Sequence, residues 1–276
     1  MNQAEVTSGS VTPWVDPALA LPLLETVEDM PLSFSGAYLL GEERQVSGVV
    51  FVQHRTICWA VTNQRRGRLT DLLLQEGGAH ATRQEVEQVY RHCQATRQPL
   101  GQALVDAGFV SANALREALQ RHTCESLLVL SRVASVGAKW TPHDRPDYNA
   151  TFTFTPAETF VALGAIQNRE LAKRARATLR ANAPDGCPAI AIVRDGGGTS
   201  IASHEPQSLG ARGLHDLSRW ATGLVDIAQA VCPSPRAVTV RDQQGGVVSW
   251  QTDHVVYAVI CRSASELGYV TALRTR

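Results

Sequence analysis

The chain has 276 residues, of which 44% are hydrophobic, and its 26 basic and 26 acidic side chains give a formal net charge of zero at pH 7. This balance disfavours a dedicated nucleic-acid or anionic-membrane surface, since each needs a local excess of Lys or Arg. No stretch approaches the roughly 18 apolar residues of a transmembrane helix, so we expect a cytoplasmic globular protein without membrane insertion.

The N-terminal quarter predicts a small sheet that follows a disordered leader. Residues 1–17 lack the positive charge and apolar core of a signal peptide, and we expect them to be disordered. Residues 33–40, 47–54 and 56–62 are rich in Val, Ile, Phe and Trp, which predicts three short strands. A tight turn at residues 53–55 is expected to join the last two strands.

A helical period then extends over residues 69–134 and contains a weak internal repeat, in which segment 68–77 matches segment 99–108. The second copy ends at Gly108, which can adopt the left-handed conformation that terminates a helix at low cost. Ser111 is expected to cap the next helix. The pattern predicts a helical hairpin.

Two further strands are expected at residues 138–143 and 151–155, where the sequence again alternates. A helix start follows at once: Thr155 is a good cap, Pro156 suits the first position, and Glu158 can reach back to the cap. This helix is predicted to continue to about residue 181.

We place the domain boundary at this helix start. The division gives residues 18–155 to an N-terminal domain and residues 156–276 to a C-terminal domain. Each part has its own predicted strands and helices, so we expect each to form its own sheet.

Three consecutive glycines at 196–198 raise the question of a phosphate-binding loop. Such a loop needs a Lys followed by Ser or Thr and then a helix, but Thr199 follows the glycines and residues 174–276 contain no Lys. A dinucleotide fingerprint is also missing. Since the flanking segments 189–194 and 199–204 alternate like strands, the glycines predict the turn of a β-hairpin.

An amphipathic helix is predicted at residues 214–231, and strands at 237–242, 246–252 and 255–262. The elements therefore come in this order: a helix, the hairpin AIAIVRDGGGTSIASH, this second helix, the three strands and the segment ELGYVTALR. The series resembles the Roadblock (dynein light-chain) family over roughly residues 157–276.

The Roadblock resemblance has structural and functional implications. It implies a five-stranded antiparallel sheet flanked by helices, homodimerisation, and a platform that regulates Ras-like small GTPases. It does not imply catalysis by this chain. The last helix of the family would be shortened here.

Two segments of residues 18–155 are distinctive: SGVVFVQHRTICWA and PLGQALVDAGFVSANALREALQRHTCESLLVL. With them, residues 18–155 resemble the PATAN family of bacterial signalling modules, although His54-Arg55 replaces the usual Asp-Gly turn. The resemblance implies a role in response-regulator or gliding-motility signalling.

The helical repeat at residues 68–122 also resembles the cyclic-di-GMP motif of type II secretion ATPases. Three positions depart from that motif: Thr70 replaces Gly, Pro99 replaces Arg, and His122 replaces Gln. A ligand with two phosphates would lose polar partners at these positions. We favour simple helix packing, with a nucleotide second messenger as the alternative ligand.

No catalytic, cofactor-binding or metal-binding residues are predicted. The eight histidines show no i, i+4 pairing, and no nucleophile elbow is present. The six cysteines are at least 29 residues apart, which is unlike a zinc site or a secreted disulfide framework. We expect buried thiols in a reducing cytoplasm and a protein that is not an enzyme.

The helix at residues 214–231 has two apolar stripes, more than packing on one sheet requires. We expect the second stripe to pair with its copy in a homodimer, and the strand after it to join its copy at the sheet edge. The alternative is that the N-terminal domain or the helix predicted at 157–181 covers the second stripe. The predicted interface residues are Trp220, Gly223, Ile227, Ala237, Val238 and Val240.

Together these observations predict an α+β protein with two domains. The N-terminal domain has a small β-sheet with a helical subdomain, and the C-terminal domain has the Roadblock-like five-stranded sheet. The expected function is that of a non-enzymatic bacterial signalling regulator or adaptor. It would dimerise and engage a Ras-like small GTPase or a response-regulator-type partner; the alternative is a sensor of a cyclic-di-GMP-like messenger.

Overall fold

The computed structural model describes residues 15–42, 45–64, 69, 72, 82–96, 100–133, 138–143, 148–194, 198–232, 237–243 and 245–275. Within these ranges the protein has the predicted α+β architecture, with eight α-helices and two antiparallel sheets.

The first sheet has four strands in the order β3-β2-β1-β4. The elements of this half are α1 (Leu21–Asp29), β1 (Ser35–Glu42), β2 (Gln45–Gln53), β3 (Thr56–Thr62), α2 (Arg83–Thr96), α3 (Leu100–Asp106), α4 (Ala112–Val133) and β4 (Ala138–Pro142). The first copy of the predicted repeat lies mostly outside the described residues.

The second sheet has five strands in the order β6-β5-β9-β8-β7. Its half contains α5 (Pro156–Gln167), α6 (Arg169–Asn182), β5 (Ala189–Val193), β6 (Thr199–His204), α7 (Gly210–Val231), β7 (Val238–Arg241), β8 (Gly246–Thr252), β9 (Val255–Cys261) and α8 (Ala264–Thr275). β5 and β6 pair antiparallel, so the predicted hairpin is confirmed, although its turn at 195–197 lies outside the described residues.

The turn between β2 and β3 is built from His54 and Arg55, which have positive φ angles of 50° and 62°. Two successive residues of this kind are typical of the tight hairpin turn that usually takes Asn-Gly. Here the side chains contribute: His54 Nδ1 lies 2.7 Å from the carbonyl oxygen of Leu32, and Arg55 Nε donates to that of Met30. These contacts anchor the turn to the preceding loop.

The strand predicted at residues 151–155 does not form. The side chain of Asn149 accepts a hydrogen bond from Thr151 N at 2.9 Å and starts a short 3-10 turn. Only Phe154 then pairs with a strand, through two backbone bonds to Ile57. Phe154 is fully buried, and the guanidinium of Arg116 lies over its ring. The segment therefore attaches to the sheet at a single residue.

The single helix predicted from Thr155 to about residue 181 is two helices. Its start is as expected, since Thr155 and Glu158 form a capping box. It ends at Asn168, whose φ of −132° is not helical and whose side chain donates to Gly164 O at 3.3 Å. Asn competes with helical hydrogen bonding in this way.

The break at Asn168 lets the chain pass round the edge of the five-stranded sheet. Side chains of α5 pack on the sheet face of Ile190, whereas those of α6 pack on the opposite face with Ala189. Both helices also contact the edge strand β6. At the closest point a Cβ atom on Gly164 would overlap the carbonyl oxygen of Ser200. The β6 edge is therefore covered.

A segment that the sequence did not predict, residues 15–29, packs against both halves. Val15 is buried, and its backbone forms two hydrogen bonds with the side chain of Gln167. Residues 15–17, which the sequence assigned to the disordered leader 1–17, are therefore ordered, and residues 1–14 lie outside the described residues. Helix α1 follows, with Leu24 and Val27 fully buried.

The main hydrophobic core is continuous across the predicted domain boundary. It combines side chains of α1, β2, α4, α5, β5 and α7. Members are Leu24, Val27, Val50, Leu127, Phe160, Leu163, Ile190 and Leu214. The boundary at residues 155/156 stays a prediction, but the two sheets do not have separate cores. A smaller cluster joins α2, α3 and α4.

Helix α3 ends as the sequence predicts. Gly108 has a φ of +70° and donates to Val105 O, while Phe109 donates to Leu104 O. This pair of bonds defines the Schellman motif. Ser111 then caps α4 by accepting from Ala114 N at 3.1 Å.

We expect Gly108→Ala to lower the free energy of unfolding by about 1 kcal/mol, because a Cβ atom is strained at positive φ. An added Cβ atom would meet nothing within 4 Å, so the cost is conformational. Urea unfolding measures it. Gly268→Ala is the control, since Gly268 is helical with equally open surroundings and should be neutral or stabilising. Equal stability of the Gly108 variant and wild type would contradict the assigned helix end.

Gly164→Ala should destabilise the protein, although helix propensity alone predicts that alanine stabilises a helix. Alanine favours a helix by about 1 kcal/mol over glycine, but here the methyl group would overlap Ser200 O, which is backbone and cannot rotate away. We expect a net loss of about 3 kcal/mol or more, measured by urea unfolding beside Gly268→Ala. A stabilised Gly164 variant would show that α5 does not approach β6 this closely.

Candidate interaction surface

Helix α7 is positioned by contacts at its start and along one face. It begins at Gly210, whose φ is +70°, and the carboxylate of Glu28 in α1 accepts from Ala211 N at 3.1 and 3.2 Å. Burial raises the pKa of Glu28 above its usual value, and the hydrogen bond from Ala211 opposes this shift. Arg212 of α7 forms an ion pair with Glu25 of α1. The N-terminal half thus caps α7.

The first predicted stripe of α7 is buried against the sheet. It packs on side chains of β5 and β9. The buried apolar residues of α7 are Ala211, Leu214, Leu217, Ala221 and Val225. Between them, Ser218 hydrogen-bonds Ser200 of β6 at 2.6 Å. Val231 is exposed because it lies at the helix end.

The second predicted stripe faces solvent in the single chain. Trp220 is 41% exposed and Ile227 is 67% exposed. Between them, a Cβ atom on Gly223 would meet no atom within 4 Å. Neither α1 nor α5 covers these residues, so the apolar ridge remains open.

Strand β7 adds apolar residues at the sheet edge. Val240 pairs with Val247, and Val238 pairs with Ser249; Ser249 in turn pairs with Ala258, which lies in the core beneath α7. Directly paired residues point to the same face of a sheet, so Val238 and Val240 lie on the α7 side. Val240 is 43% exposed.

Five of the six predicted interface residues therefore lie on one side of the sheet. We call Trp220, Gly223, Ile227, Val238 and Val240 the α7–β7 surface. The sixth, Ala237, packs against the cluster on the other face, because neighbouring residues of an extended chain point to opposite sides. Among the described strands, β7 has a partner on one side only.

A polar cluster, which sequence reasoning did not find, fixes the C-terminal half of α7. The guanidinium of Arg194, just after β5, donates to Gln229 Oε1 at 2.6 Å, to Gln251 Oε1 at 2.8 Å and to Asp226. Asp226 and Gln229 flank Ile227 in α7. The only sequence signal was two polar residues three positions apart, which does not identify Arg194 as their partner.

Three of the cysteines lie in surroundings that disfavour an activated thiol. Burial raises the pKa of Cys58 to about 12 and those of Cys187 and Cys261 to about 11. Such thiols are poor nucleophiles. Cys232 differs from the prediction of buried cysteines, since it is exposed at the end of α7. No group of three or more potential metal ligands occurs among the described residues.

The second-messenger alternative gains no support from His122. This residue is buried, and its ring stacks on Trp59 with centroids 4.4 Å apart. Thr70 and Pro99 lie outside the described residues.

None of the described helices has both the length and the apolar composition needed to cross a membrane.

Comparisons with known proteins identify little. No protein-family model matches the sequence, and a search of curated proteins finds no match. Among solved structures, the Roadblock/LC7 domain from Streptomyces avermitilis is similar over 36% of this chain and 87% of that domain, with 19% sequence identity and a TM-score of 0.28. A similarity this weak does not assign the chain to a family.

Proposed function

We propose that this protein is a non-enzymatic regulator or adaptor that forms a homodimer through the α7–β7 surface. The observation that carries the proposal is the exposure of Trp220 and Ile227 on the same side of the sheet as the open edge strand β7. Monomeric proteins seldom leave an apolar patch and an edge strand uncovered together.

A two-fold axis would cover both features at once. Helix α7 would pack against its copy, with Gly223 allowing close approach, and β7 would pair with its copy to extend the sheet across the interface. Each protomer would contribute the same surface, as a closed dimer requires. The edge side chains Val238 and Val240 would then lie between the two helices.

The proposed partner is a Ras-like small GTPase or a response-regulator-type protein. Support comes from the resemblance of residues 157–276 to the Roadblock family, in which the order of helix, hairpin, helix and three strands carries the similarity. The observed elements follow that order and form a five-stranded antiparallel sheet. The PATAN resemblance of residues 18–155 stays a prediction, as do the bacterial signalling role and the cytoplasmic location.

Light scattering on the full chain tests the dimer. Wild type should have the mass of two chains at micromolar concentration, and Trp220→Glu/Ile227→Glu should have the mass of one, because charges buried without partners oppose association. Leu32→Glu is the control: Leu32 is 62% exposed in the α1–β1 loop, so this variant should remain dimeric. Circular dichroism checks that all three are folded. A monomeric wild type would refute the proposed interface.

The partner class is tested with a Ras-like GTPase from the same genome, loaded with GDP or with a non-hydrolysable GTP analogue. Calorimetry should show that wild type binds one nucleotide state at least about tenfold more tightly, since regulation requires differential affinity for two states. Absence of binding in both states, for every such GTPase in the genome, would exclude this partner class and leave the dimer unaffected.

A further inference from the structure

A groove lies beside the covered β6 edge, away from the β7 edge of the α7–β7 surface. Its volume is about 640 Å³, within the range of ligand-binding clefts. The apolar lining on α5 includes Ala162, Ala165 and Ile166, which are only partly buried. Helices α4 and α6 contribute charged side chains on either side.

Helix α6 is strongly basic in a chain whose net charge is zero. It contains five basic residues and one acidic residue in 14 positions, a formal charge of +4, so the rest of the chain has −4. Its buried face is small: Ala172, Ala175 and Leu179 pack on the sheet. All five basic side chains are exposed.

Four of these five cations have no acidic partner in the described part of the chain. Arg169 pairs with Glu125 at 3.8 Å. No described carboxylate lies within ion-pair distance of the others. They are Lys173, Arg174, Arg176 and Arg180. Lys173 and Arg176 line the groove.

The other charges of the groove are partly neutralised within the protein. Arg121 pairs with Glu125 at 2.7 Å, and Glu158 pairs with Arg116 at 3.1 Å. Glu117 of α4 and Glu170 at the start of α6 add negative charge. The unpaired positive charge of the groove is therefore carried by Lys173 and Arg176, in the middle of α6.

These features select one class of occupant. Among the described residues no aromatic side chain lines the groove, so this lining lacks the stacking platforms that single-stranded nucleic acids use. The exposed positions between the α6 cations include Ala177 and Ala181, which offer no large apolar group for insertion into a membrane. An apolar floor beside a row of cations instead suits a peptide with apolar side chains on one face and carboxylates along its border.

We propose that the groove binds an acidic amphipathic segment of a partner protein. The apolar face of the segment packs on Ala162, Ala165 and Ile166, and its carboxylates pair with Lys173 and Arg176. This site is separate from the α7–β7 surface and does not depend on dimerisation.

The test uses the full chain and a fluorescein-labelled probe peptide of Glu, Ala and Leu, with about 18 residues, or five helical turns. Leu residues recur at helical spacing on one face. Fluorescence anisotropy should show binding by wild type. Lys173→Glu/Arg176→Glu should weaken it at least about tenfold, because like charges then face one another. A peptide of the same composition with scrambled Leu positions should bind at least about tenfold more weakly than the probe.

The matched control is Arg91→Glu/Lys139→Glu, which makes the same change of charge at exposed positions on α2 and β4, outside the groove. This variant should bind the probe like wild type, and thermal unfolding should show that both double variants are folded. Three results would overturn the proposal: no binding by wild type, equal weakening in the two variants, or equal binding of the scrambled peptide. The last would indicate a general polyanion surface.

Discussion

The position of α7 between the five-stranded sheet and the N-terminal half determines which side chains of this helix face solvent. One side of the helix is buried on β5 and β9, and its first turn is held by a carboxylate from α1. With both contacts fixed, the helix cannot rotate to bury Trp220 or Ile227. The exposed ridge is therefore a consequence of how the two halves pack.

Features set by neighbouring residues were predictable from the sequence. The capping box at Thr155, the helix end at Gly108 and the strands flanking residues 196–198 all depend on contacts within a few positions. The errors have a different origin. The helix break at Asn168 arises because the chain must turn round the sheet edge, and residues 15–29 are ordered by contacts with α5 and α7.

The candidate surface was predictable to a similar extent. Helical spacing identified Trp220, Gly223 and Ile227, and the strand expected at the sheet edge identified Ala237, Val238 and Val240. Ala237 lies on the opposite face of the sheet from Val238, as strand alternation requires, and its place in the interface stays a prediction. The contacts of Arg194 and Glu28 join segments from 32 to 183 positions apart, and no local pattern in the sequence encodes them.

The two edges of the five-stranded sheet differ, and this difference limits how many chains can join through this sheet. Gly164 brings α5 onto β6, and the chain wraps round that side, so no further strand can be added there. Among the described strands of this sheet, only β7 can accept a neighbour. A sheet with one usable side pairs once and stops, whereas two open sides would permit a growing fibre. The covered β6 edge thus limits strand pairing through this sheet to two chains.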